Sequence, residues 1–232
     1  MNNHDHVESH LKSSDLLRDI VIGMSDGLTV PFALAAGLSG AVANSSIIVI
    51  AGIAEIAAGS IAMGLGGYLA GKTEQDHYES EVKREYEEVE NLRHREIEET
   101  KEFFANIGLS ESLQEQATEE IARDKDRWVE FMMKYELGLE KPDPKRATKS
   151  ALNIGISYIV GGIIPLAPYF FLSSSLDALK ISVAATLVCL FVFGYFKSKL
   201  TGVNAWWGAI KVTLIGAVAA SAAFGVAKLI EH

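Results

Sequence analysis

Five stretches of this chain stay apolar for about 20 residues, the length a helix needs to cross the hydrocarbon core of a bilayer. They are Ile20–Gly40, Ile47–Ala70, Ala151–Leu172, Leu176–Phe196 and Ala205–Leu229. In hydrocarbon every backbone N–H and C=O must be satisfied within the protein, so such segments fold as helices. The charges follow the same division. Between Lys72 and Lys149 there are 22 acidic and 14 basic residues, whereas from Ser150 onward only Asp177, Lys180, Lys197, Lys199, Lys211, Lys228 and Glu231 are charged. The pattern predicts an all-α polytopic membrane protein: five transmembrane helices with a helical soluble domain between helices 2 and 3. The expected divisions are a tail (1–19), helices 1 and 2 (20–71), the soluble domain (72–149) and helices 3 to 5 (150–232).

Lysine and arginine placement sets the expected orientation. The short links Ala41–Ser46 and Ser173–Ser175 carry no basic residue, whereas Lys12, Arg18, Lys145, Arg146, Lys149, Lys197 and Lys199 all fall on the other side. The positive-inside rule places the N-terminus and the charged block in the cytoplasm and, with five spans, the C-terminus opposite. Ala41-Val42-Ala43 resembles a cleavage site, but the acidic leading segment and the length of the apolar run argue for a retained first helix.

The formal charge of −9 resides almost entirely in the block, which disfavours nucleic acid and favours cations as partners. Cys189 is the sole cysteine, so no disulfide framework or cysteine metal site forms within one chain. Gly64-Leu65-Gly66-Gly67 lacks the Lys-Ser/Thr of a phosphate-binding loop. A ferritin-like di-iron site needs two Glu-x-x-His motifs on facing helices, and only Glu74 to His77 matches here. A membrane ferroxidase is thus a weak alternative. The histidines His4, His6 and His10 offer at most a loose metal site in a tail.

Within the block, Glu, Lys, Arg and Ala predict helix, with a break at Asn106–Ser110 where Gly108 caps one helix and Ser110 starts the next. No linker separates Lys72 from Asn106, so the second span is expected to continue as one long helix. At about 100° per residue, Glu81, Glu85, Glu88, Glu96 and Glu99 then fall within an arc of roughly 80°, together with Tyr78, Leu92 and Phe103. Carboxylates on a packing face are costly unless neutralised or bound to metal. Glu85/Glu88 and Glu96/Glu99, spaced i,i+3, can converge on one ion, and their hard oxygens suit divalent cations. The competing reading is a solvated helix with Lys83, Arg84, Arg93 and Arg95 as partners. Met132 and Met133 share helix faces with Glu136; they are either soft ligands or core filler.

Two acids lie inside the spans, Asp26 in the first and Glu55 in the second. An intramembrane carboxylate is expensive and marks an ion path or proton relay by default. Pro31 frees the carbonyl of Gly27 beside Asp26. Glu55, Gly59 and Met63 recur every four residues along one face, and Met63 comes to the depth of Asp26. The alternatives are protonated acids, or pairing with Lys180 or Lys211. Gly52, Gly59 and Gly66 form a small-residue face for helix packing, and Gly161-Gly162, Pro165 and Pro168 predict a kinked or unwound end to the third span.

The run Ile22-Gly23-Met24-Ser25-Asp26-Gly27-Leu28-Thr29-Val30-Pro31-Phe32-Ala33 resembles the first-helix signature of the vacuolar iron transporters. Ala54-Glu55-Ile56-Ala57-Ala58-Gly59-Ser60-Ile61-Ala62-Met63-Gly64 resembles their second, while Leu139-Glu140-Lys141-Pro142 and Gly161-Gly162-Ile163-Ile164-Pro165-Leu166 resemble the stretches around their third. The resemblance implies a homodimer that exchanges cytoplasmic Fe²⁺, and often Mn²⁺, for protons. It also implies a cytoplasmic metal-binding domain, which the nodulin-like branch lacks. By matching motif, Asp26, Glu55 and Met63 would line the membrane path, and Glu85, Glu88, Glu96, Glu99, Met132, Met133 and Glu136 would be the cytoplasmic ligands. No permanently bound cofactor is implied, and Co²⁺ and Zn²⁺ are further possible cargo. The membrane would be vacuolar in a eukaryote and the plasma membrane in a bacterium. A metal sensor or buffer without flux is the runner-up.

Overall fold

The computed structural model describes residues 12–230, with side chains from Asp15 onward; His4, His6, His10 and His232 lie outside the described residues. The helices are α1 (Lys12–Ala41), α2 (Ser45–Asn91), α3 (Arg93–Asn106), α4 (Glu111–Ile121), α5 (Lys125–Tyr135), α6 (Arg146–Phe171), α7 (Ser175–Leu200) and α8 (Ala205–Ile230). Five of them, α1, α2, α6, α7 and α8, are long and apolar enough to cross a membrane. The chain divides into two compact units, an apolar one (1–68 with 148–232) and an acidic one (69–147). Helix α2 contributes to both.

In the apolar unit glycines set the helix spacing. A Cβ on Gly23 would lie 2.2 Å from the Ile154 carbonyl oxygen and one on Gly27 2.3 Å from that of Tyr158, so α1 and α6 approach backbone to backbone. Helix α2 meets α6 through Gly52 and Gly59, against Leu166 and Tyr158. The third member of the expected face, Gly66, meets nothing within 4 Å, and Gly64 and Gly67 make the contact instead. A seven-residue spacing drifts by about 20° per repeat on a straight helix, which carries Gly66 off the face. The expected unwinding of α6 does not occur: the helix runs unbroken through Pro165 and Pro168 to Phe171. The neighbouring helix adds a bond, Ser182 Oγ donating to the Pro165 carbonyl at 2.7 Å.

The single long helix expected through to Asn106 is interrupted. Helix α2 stops at Asn91, Leu92 leaves the helical region (φ −122°, ψ 27°) and α3 begins at Arg93. The Asn91 side chain donates to the Glu87 carbonyl at 2.8 Å, competing locally with helix continuation. The break after Asn106 is where the turn residues put it: Gly108 takes φ 89° and Ser110 is the extended residue before α4. The core of this unit surrounds Trp128, fully buried with Val89, Val129, Met132 and Met133. The Trp128 indole N–H donates to Thr100 Oγ1 at 2.8 Å.

Candidate metal centre

The interruption at Leu92 decides the geometry of the carboxylates. On one straight helix Glu85 and Glu96 would stand about 16 Å apart at 1.5 Å per residue. Instead the ligand oxygens of Glu85, Glu88 and Glu96 lie within 4.8 Å of one another, and those of Glu96, Glu99 and Glu136 form a second such group. Two helices face each other across the site, α5 ends beside it, and Glu96 belongs to both groups. Glu81, which shares the predicted arc, joins neither; it pairs with Arg84 and stands 3.8 Å from His77 Nδ1.

Glu85 and Glu96 are 2% and 1% exposed, and in each the Oε2 atom is buried with no hydrogen-bond partner. Burial pushes Glu85 up to about 7, reinforced by repulsion from Glu136 and Glu88. Burial, then repulsion from Glu99, Glu85 and Glu88, brings Glu96 to about 7 as well. Glu136 rises for the same reasons, with Glu99 and Glu88 its principal repelling neighbours. Cations reach only the rim: Arg84 lies 3.9 Å from Glu88 and 4.0 Å from Glu85, and Arg95 bonds Glu99 at 2.9 Å. The solvated-helix reading thus describes the outer carboxylates but not Glu85 and Glu96. A divalent cation would satisfy the orphaned oxygens and remove the repulsion that raises these groups.

Both methionines belong to the apolar core around Trp128, and Met132 also reaches the carboxylates. Met132 lines a cavity of about 290 Å³ with Glu99, Glu136, Phe103 and Tyr135, and its Sδ lies 3.4 Å from Thr100 Oγ1. Met133 packs into the apolar core with Val89 and Trp128. Glu74, by contrast, is exposed, and His77 stands beside Glu81.

In the apolar unit Tyr158 of α6 donates its hydroxyl to Glu55 Oε1, and Glu55 Oε2 is buried with no partner. Glu55 borders an open groove of about 630 Å³ lined by apolar side chains, including Val30, Leu34 and Leu38 of α1 and Ala223 and Val226 of α8. Asp26, half-buried on α1, lies within electrostatic reach of the same phenol. Met63 is half-buried two turns from Glu55 on α2 and is not among these contacts. Lys180 is engaged by Asp177 at 2.8 Å on its own helix. Tyr158 is the residue that sequence reasoning missed. Its signal was present: a phenol in the middle of a span must find an acceptor, and the acids of two other spans are the obvious ones.

Five spanning-length helices and two sets of carboxylates with orphaned oxygens define a polytopic membrane protein with acids both in its apolar body and in a separate helical unit. The chain matches the model of the VIT family over residues 17–228 and belongs to that family. It is 50% identical over 227 residues to "Vacuolar iron transporter 1" of Tulipa gesneriana, covering 98% of this chain and 92% of that protein. It is 51% identical over 227 residues to the protein of the same name from Arabidopsis thaliana (98% and 91% covered). Identity with "Protein CCC1" of Saccharomyces cerevisiae is 40% over 224 residues (93% and 69% covered). The vacuolar iron transporters among these are named as transporters, not enzymes.

Proposed function

We propose that this protein carries Fe²⁺, and Mn²⁺ alongside it, out of the cytoplasm in exchange for protons, working as a homodimer. The observation that carries the reading is the double carboxylate group sharing Glu96, whose buried Oε2 atom, like those of Glu85 and Glu55, lacks any partner. The names of the relatives support iron as cargo. In this reading the acidic unit is cytoplasmic and its Glu85, Glu88, Glu96, Glu99 and Glu136 collect the ion. Met132 adds a thioether at the cavity wall, which favours a transition metal over Ca²⁺ or Mg²⁺. Met133 holds the wall in place from the core.

The ion then passes to Asp26, Met63 and Glu55. As it leaves Glu55 the carboxylate takes up a proton, while the Tyr158 hydroxyl keeps Oε1 oriented and leaves Oε2 free for the exchange. Oxygen and thioether donors together also admit Co²⁺ and Zn²⁺. The membrane is vacuolar in a eukaryotic host and the plasma membrane in a bacterial one. The test is a reconstituted flux assay with Fe²⁺, Mn²⁺, Co²⁺ and Zn²⁺, with and without a pH gradient. Metal uptake that acidifies the opposite compartment in no case, and ignores the gradient, overturns the exchange; metal binding with no flux at all leaves a sensor.

A further inference from the structure

Three carboxylates of α2 surround the guanidinium of Arg84. Its Nη1 donates to Glu81 Oε1 at 3.3 Å and its Nη2 contacts Glu81 Oε2, a two-pronged grip on the member of the predicted arc that joins neither metal group. From there Nη2 stands 4.0 Å from Glu85 Oε1 and Nε 3.9 Å from Glu88 Oε2, beyond hydrogen-bond distance of both. The four residues follow one another at spacings of three and four and so share a face of α2. A half-exposed i,i+3 pair adds little to the stability of a 47-residue helix. Its consequence is where it holds the positive charge.

The second carboxylate group is arranged the other way. Arg95 Nε donates to Glu99 Oε1 at 2.9 Å, and Glu99 is itself a member of that group. There the cation sits on a ligand oxygen, whereas Glu81 keeps Arg84 off Glu85 and Glu88. A divalent ion held by Glu85, Glu88 and Glu96 through bonds of about 2 Å would come within roughly 6 Å of the Arg84 guanidinium. At that separation a double and a single positive charge repel by about tenfold in affinity, even at the dielectric constant of water. The charge already acts on the site: burial raises Glu85 and Glu136, and Arg84 is among the groups that oppose the rise.

We infer that Arg84 is a tethered counter-ion that sets the affinity of the first carboxylate group, and that Glu81 is the positioning residue that keeps it off the ligands. With the clamp closed, the arginine weakens the hold on a divalent cation without taking its oxygens. As the ion leaves, the same charge steadies the carboxylates left behind. A site of buried acids alone would hold a divalent cation tightly and give it up slowly, which does not suit cargo that must be passed on. Released from Glu81, the guanidinium needs only a small side-chain shift to settle on Glu85 and Glu88, and it then competes with the ion directly.

The inference rests on reading the acidic unit as the collector of a transporter, and Mn²⁺ calorimetry on the full chain in detergent at low ionic strength tests it apart from transport. Arg84→Gln should tighten the strongest binding step about tenfold and slow the release of Mn²⁺ to a chelator by a similar factor. Glu81→Gln should do the opposite, weakening that step by about three- to tenfold as the freed guanidinium moves onto the ligands. The double variant should bind within about threefold of Arg84→Gln alone, because no arginine is left to release. In reconstituted vesicles the half-saturating Mn²⁺ concentration should follow the same order. Unchanged or weaker binding in Arg84→Gln, or an equal loss from Glu81→Gln with and without Arg84, overturns the tethered counter-ion. The opposite shifts in a chain that moves no Mn²⁺ into vesicles overturn transport and leave the counter-ion standing. A wild-type chain that binds no Mn²⁺ overturns both.

Discussion

Glu55 and Glu96 each carry a buried oxygen that bonds to nothing, yet their surroundings differ in kind. Glu96 sits among four other carboxylates, with arginines at the rim, in a unit whose surface is densely charged. Glu55 has one phenol for company and apolar walls on α1 and α8. Several weakly held, mutually repelling ligands make a site that gains most from a cation and tolerates loss of a member. A single carboxylate in apolar surroundings has no substitute. The first arrangement suits collection, the second a step that every ion must pass.

The sharpest way to break that comparison is to remove the single acids. Glu55→Ala and Asp26→Ala should each lower Fe²⁺ flux into pH-gradient vesicles by about 100-fold or more, since no neighbouring ligand replaces an intramembrane acid. Wild-type flux in either variant would end the proposed path. Glu96→Gln removes the member common to both carboxylate groups. It should weaken metal binding by calorimetry about 10- to 100-fold, as loss of a ligand or its close support does at metal sites. Flux at saturating metal should stay within a few-fold of wild type. Equal damage to binding and to saturating flux would erase the distinction between collector and path. Tyr158→Phe keeps the ring and removes the donor to Glu55; the expected effect is a flux reduction of about 3- to 10-fold, set by loss of one hydrogen bond to a charged group.

Acidity separates the two sites further. Glu85 and Glu96 sit near 7 in the folded unit against an ordinary value of 4.5, so the folded state holds extra protons between those values. Their contribution to stability is therefore fully present below 4.5 and disappears as pH rises through 7. Without metal, the melting transition of the acidic unit should move down between pH 5 and pH 8 through this contribution. Added Mn²⁺ should raise it at pH 8 and do little at pH 5, because binding requires the deprotonated carboxylates. A metal shift independent of pH would remove these two residues from the site. The smallest effect expected is that of Gly108→Ala, which forces a side chain into φ 89° and should cost about 1 kcal/mol of stability. Flux should be unchanged, since the turn lies outside both sites.

Periodicity made most of the secondary structure legible. The five spans and the turn at Gly108 follow from apolar length and turn chemistry, and Glu85, Glu88, Glu96 and Glu99 stand out because they share an arc with Tyr78 and Phe103, whereas Glu136 was marked as a ligand only by the family resemblance. Their arrangement did not follow. Leu92 looks like an ordinary helical residue, and only the packing of α3 against the end of α2 shows that the stripe is folded back on itself. Tyr158 escaped for a related reason: its partner is 103 positions away. That Met132 lines the cavity beside Glu99 and Glu136 while Met133 does not likewise depends on how the Trp128 core seats two adjacent side chains.

By itself the sequence determined what must be buried and what must be charged. Hydrophobic length and charge placement are local properties, read directly from the order of residues, and they fixed five spans, an acidic unit between them and two lone acids in the apolar body. Tertiary structure decided which charges meet. It folded α3 back on α2 and brought the end of α5 beside them, so that the stripe and Glu136 make two carboxylate groups, set a phenol from α6 on Glu55, and laid α6 on α1 backbone to backbone at Gly23 and Gly27. Helix packing depends on shape at the contact face, on where small residues allow backbones to approach, and different residues can present the same shape.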